Sequence, residues 1–115
     1  MKYPLQMTGP LQRVLRALLE DPAVQRYGLE ISKLADLETG TLYPIMARLE
    51  RVGWVESSWE DPDLSISDGR PRRRYYLLTQ DGAERARSAL ADMSRTRERR
   101  RSGLAAQPGM LGISP

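Results

Sequence analysis

The chain has 115 residues, room for one domain, with no cysteine, no histidine and a formal net charge of +3. These absences exclude disulfides, thiolate or imidazole metal sites and Ser-His or Cys-His nucleophilic pairs, so no metal, no cofactor and no enzymatic activity are expected. No apolar run approaches the ~18 residues of a membrane span, and the opening MKYPLQMTGP has no signal-peptide core; a soluble cytoplasmic protein without a membrane partner is expected.

Thr8-Gly9-Pro10 opens a first helix, with Thr8 as N-cap and Pro10 in the first turn. Leu11, Val14, Leu15, Leu18 and Leu19 recur at i, i+3, i+4, i+7 and i+8, one helical face. Asp21-Pro22 ends it. A short second helix over 27–35 turns Ile31, Leu34 and Ala35 inward, and Asp36-Leu37-Glu38 is a tight connection. The third helix begins near Thr39 and runs to Gly53, burying Leu42, Ile45, Met46, Leu49 and Val52, with Pro44 in or near its first turn. Segments 54–59 and 72–78 read as two antiparallel strands around a long loop from Glu60 to Pro71. Thr79 caps a fourth helix, Gln80 to about Arg101, whose narrow stripe Ala83, Ala86, Leu90 and Met93 needs a partner. Residues 102–115 have no periodicity and read as a disordered tail.

This order predicts a mainly α fold with a small two-stranded β wing: a winged helix-turn-helix over 1–79, one C-terminal helix over 80–101, and the tail. Opposite its buried stripe the third helix presents Gly40, Tyr43, Pro44, Ala47 and Arg51, flanked by Thr41 and Arg48. Small residues at a helix start let its free N–H groups approach phosphate. Thr39, Thr41 and Tyr43 add hydroxyls, and Arg48 suits either phosphate or a guanine edge. Charge is segregated: residues 1–69 are net −4 and residues 70–101 net +7. The run Gly69-Arg70-Pro71-Arg72-Arg73-Arg74 places guanidiniums at the wing root, where they would neutralise phosphates. The candidate DNA-binding set is therefore Thr39, Gly40, Thr41, Tyr43, Pro44, Arg48, Arg70, Arg72 and Arg73. Three plainer readings compete: a core helix with Thr39 as its cap, solubilising charge on an edge strand, and a winged-helix module that binds protein instead of DNA. The second basic run, Arg95 to Arg101, reads as a solvated helix end, and Trp54 and Trp59 read as packing aromatics.

Tyr27-Gly28-Leu29-Glu30-Ile31, then Thr39-Gly40-Thr41-Leu42-Tyr43-Pro44 with Arg48-Leu49-Glu50, and Gly69-Arg70-Pro71-Arg72, Tyr75-Tyr76 and Leu78-Thr79 with Gly82, resemble the PadR family of bacterial transcriptional regulators. The resemblance covers about residues 10 to 92 and is that of the short subfamily. It implies a homodimeric winged-helix repressor that occludes promoters at inverted-repeat double-stranded DNA, with Thr41, Tyr43 and Pro44 in the major groove and the Arg70 region as wing. Ala83, Ala86, Leu90 and Met93 would then form part of the dimer surface. Tyr27-Gly28-Leu29 stands where members often carry His-Gly-Tyr; a small-molecule effector at the dimer interface stays open, though no residue calls for one.

Overall fold

The computed structural model describes residues 3–113, with side chains through 103. Helix α1 (Gly9–Leu19) starts as expected: Thr8 Oγ1 accepts from the Leu11 N–H at 3.3 Å, and proline occupies the first turn. Val14, Leu15 and Leu18 are buried. A two-residue strand, β1 (Arg26–Tyr27), precedes α2 (Gly28–Ala35). In α2 the inner face is Gly28, Ile31, Ser32 and Ala35, the i, i+3, i+4, i+7 stripe. Leu34, expected inside, lies off that stripe and is 44% exposed. Ser32 takes the inner place, its hydroxyl donating to the Leu37 carbonyl across the turn. Asp36 supports this tight turn in a left-handed conformation.

Helix α3 (Thr39–Arg51) buries Leu42, Ile45, Met46 and Leu49, with Val52 partly buried at its C-cap. Glu38 holds the N-cap position without a side-chain cap bond. Pro44 lies inside the helix just past its first turn. It cannot donate to the Gly40 carbonyl one turn back, and because Gly40 is exposed, that carbonyl has access to solvent, which lowers the cost.

Strands β2 (Val55–Trp59) and β3 (Arg74–Leu78) pair antiparallel from Val55↔Leu78 to Trp59↔Arg74. The sheet has three strands where two are expected, because β1 adds to the free side of β3 through Arg26↔Tyr76 and Tyr27↔Tyr75. The loop between β2 and β3 contains a further helix, α4 (Pro62–Asp68). Its signals are local: Asp61 caps it, accepting from the Asp63 N–H at 2.9 Å, Pro62 fits the first turn, and Gly69 closes it at φ 66.

Helix α5 (Gln80–Ile113) is capped by Thr79, whose Oγ1 accepts from the Gly82 N–H at 2.9 Å and donates to the Gly53 carbonyl at 2.8 Å. Ala83, Ala86 and Ala89 are buried in the same core as Trp54, Leu15, Ile31, Leu42 and Met46. The helix runs past the expected end near Arg101. At 1.5 Å per residue it is ~51 Å long. The side chains of the expected tail, beyond Gly103, lie outside the described residues.

Candidate nucleic-acid interface

The buried stripe of α3 fixes its outer face. Gly40, Pro44, Ala47 and Arg51 form the exposed centre; Thr39 and Tyr43 lie on one flank, Thr41 and Arg48 on the other. Tyr43 and Arg48, five residues apart, point roughly 140° from each other around the axis. Tyr43 is 45% exposed and rests on Gly28, where a Cβ would stand 2.4 Å from the tyrosine hydroxyl. Arg48 edges a recess of about 60 Å³ with Leu5, Gln6 and Thr8, on the side away from the wing. Among the described residues neither Arg48 nor Arg51 has a hydrogen-bond or ion-pair partner, and both are exposed.

At the wing root the arginines divide into two kinds. Arg70 turns inward, its Nη1 and Nη2 donating to Glu60 Oε1 and Oε2 at 2.6 and 2.8 Å, with Asp68 Oδ2 at 3.1 Å from Nη2. The Glu60 side chain is 3% exposed. It also accepts from the Arg73 N–H at 3.3 Å and from the Tyr75 hydroxyl at 3.4 Å. The Arg70 hydrogen bonds hold the Glu60 carboxyl down at about 2, against the opposing effect of burial. The same pairing pushes the Arg70 guanidinium up. Arg74 is likewise engaged, 3.2 Å from Glu50 and donating to Ser57 Oγ at 2.8 Å. Arg70, expected to face phosphate, is therefore committed to a carboxylate within the fold.

Among the described residues, the terminal guanidinium nitrogens of Arg72 and Arg73 make no hydrogen bond or ion pair within the fold. Arg72 is exposed; its Nε donates to the Glu60 carbonyl at 3.0 Å, its one hydrogen bond among the described residues, and its guanidinium carbon lies 5.6 Å from the Trp59 ring centre. Arg73 stacks 4.1 Å over the Tyr27 ring, which meets Tyr75 edge-on. Between α3 and the wing, Tyr27, Gly28, Tyr43, Arg72 and Arg73 border a notch of about 320 Å³. The fold thus brings Tyr43 and the wing arginines together, while Thr41 and Arg48 stand apart on the far flank. Of the expected dimer stripe, Ala83 and Ala86 are buried in the chain's own core, and Leu90 and Met93 retain accessible area.

Two site features escape sequence reading. Gly28 is the seat of Tyr43, a through-space contact across fifteen residues. Glu60 is one acid among many, and only the strand register brings it to Arg70 and Arg73. Among the described residues no group of His, Cys, Asp or Glu could hold a metal, and no helix is long and apolar enough to cross a membrane.

The family model of the transcriptional regulator PadR-like family matches residues 14–88. No curated protein matches. Among solved structures, a PadR family transcription regulator from Clostridium difficile is 22% identical with TM-score 0.67, covering 84% of this chain and 99% of its own. A PadR-like regulator from Bacillus cereus is 21% identical with TM-score 0.60, covering 82% and 89%. These two show likeness of fold. The PcaV transcriptional regulator from Streptomyces coelicolor is 25% identical with TM-score 0.67, covering 94% and 73%.

Proposed function

The chain belongs to the transcriptional regulator PadR-like family, and on that premise we propose that it is a cytoplasmic homodimeric repressor that occludes promoters by binding inverted-repeat DNA. The observation that carries this reading is the outer face of α3, exposed from Thr39 to Arg51, where Arg48 and Arg51 have no partner among the described residues, with Arg72 and Arg73 beside it. In the proposed docking α3 enters the major groove, with Gly40, Pro44 and Ala47 allowing close approach. Thr39, Thr41 and Tyr43 offer hydroxyls to phosphate, Arg48 contacts phosphate or a guanine edge, and Arg72 and Arg73 meet the flanking backbone. Arg70 is left out of the phosphate set because its donors already face Glu60 and Asp68. Dimerisation uses the outer part of α5, to which Leu90 and Met93 contribute, and sets two copies of α3 about one DNA turn, ~34 Å, apart.

Fluorescence anisotropy on DNA from upstream of the protein's own coding sequence, against a scrambled duplex at two salt concentrations, tests the proposal. Preferential, salt-sensitive binding that saturates at two subunits per site supports it. Equal, weak binding to both duplexes favours a protein-binding winged-helix module.

A further inference from the structure

We propose that Glu60 is a positioning residue for DNA recognition: it closes the root of the wing and thereby holds Arg72 and Arg73 on the side of the protein that carries Tyr43. The inference rests on the DNA-binding reading above. Regular pairing of β2 and β3 ends at Trp59↔Arg74, and the next residues on each side must part around α4. Glu60 spans that point with both its backbone and its side chain. Its N–H donates to the Arg73 carbonyl at 2.8 Å, and its Oε1 accepts from the Arg73 N–H at 3.3 Å. Its carbonyl receives Arg72 Nε at 3.0 Å, which orients that guanidinium while leaving both terminal nitrogens for another acceptor. Arg70 supplies the counter-charge a buried carboxylate requires.

The proposal opposes simple electrostatics in sign. Removing a negative charge beside a DNA-binding wing, and releasing Arg70, should by charge alone tighten binding to any duplex. A positioning role predicts that Glu60→Gln weakens binding to the specific site about tenfold, with nonspecific binding unchanged or tighter. The double variant Glu60→Gln/Arg70→Met removes both charges. Because Arg70 meets no phosphate in this proposal, it should keep the Glu60→Gln salt slope; a direct Arg70 phosphate contact would make the slope shallower by about 0.9.

The experiment measures anisotropy of the full chain, wild type and both variants, on the upstream and scrambled duplexes over a salt series. Hydrogen–deuterium exchange across residues 60–75 is read on the same proteins without DNA. Expected are faster exchange in Glu60→Gln and a lower ratio of specific to nonspecific affinity. Faster exchange with an unchanged ratio reduces Glu60 to a structural brace and overturns the proposal, as does unchanged exchange. A wild type that does not distinguish the two duplexes fails the DNA-binding reading itself, a result separate from either outcome for Glu60.

Discussion

The backbone of α5 runs so close to Trp54 that a Cβ on Gly82 would stand 2.0 Å from the Trp54 carbonyl oxygen. The obstacle is main chain, and the same carbonyl accepts the Thr79 N–H at 3.0 Å, so it cannot turn aside. Gly82→Ala is expected to displace α5 from the sheet and cost about 3 kcal/mol or more. Urea unfolding followed by circular dichroism measures it; a loss within about 0.5 kcal/mol would show that the helix shifts freely.

Gly28→Ala tests a contact of a different kind. Its obstacle is the Tyr43 ring, a half-exposed side chain that can rotate away. Stability should therefore fall by only about 1 kcal/mol, while affinity for the specific duplex falls to about that of Tyr43→Ala. Anisotropy on the single variants and the double variant checks this: the two changes should not add.

Arg48→Ala and Arg51→Ala each remove an exposed cation without a partner among the described residues. Folding stability should stay within about 0.5 kcal/mol of wild type. Each contact to phosphate that is lost should make the slope of log affinity against log salt shallower by about 0.9. An unchanged slope for Arg48→Ala, with loss of discrimination at one base pair, would assign Arg48 to a guanine edge.

Acid should loosen the wing root. Glu60 has its folded pKa lowered to about 2 from an ordinary 4.5, so the unfolded chain takes up the proton first. The stabilisation is complete above about pH 5 and is lost as pH falls from about 4.5 toward 2. Urea midpoints measured from pH 6 to pH 2.5 should decline less steeply over that interval in Glu60→Gln than in wild type.

Thr79→Ala should cost about 1–2 kcal/mol, because one hydroxyl both caps α5 and donates to Gly53. Thr79→Ser keeps the hydroxyl and should recover most of the loss in the same unfolding assay.

The helical frame was legible in the sequence because its signals are local and periodic: Thr8 and Thr79 act as the caps they resemble, and the stripes of α1 and α3 are buried except at their last residues, Leu19 and Val52, which are partly buried. Leu34 follows Ile31 at i+3 and so fits a helical face by spacing alone; the packed face is instead rotated toward Gly28 and Ser32, and eight residues are too few to tell the two apart. Helix α4 carried a visible Asp-Pro start and Gly stop, but a seven-residue helix inside a loop is too short for periodicity to reveal. Strand β1 has no pattern at all, since two residues cannot alternate. In the candidate site the exposed face of α3 followed from its buried one. The sorting of the wing arginines did not, because Arg70 and Arg72 differ only in what the folded chain sets opposite them.

The two residue pairs between β1 and β3 have a mechanical consequence. Arg26 and Tyr27 lead directly into Gly28, the seat of Tyr43, while Tyr75 and Tyr76 lead back along β3 to the wing arginines. On the proposed DNA-binding reading, this short splice ties α3 and the wing together as a caliper of fixed opening. In the proposed complex it is the duplex that adjusts, and sequences whose grooves reach that opening at low deformation cost are preferred even at base pairs no side chain touches.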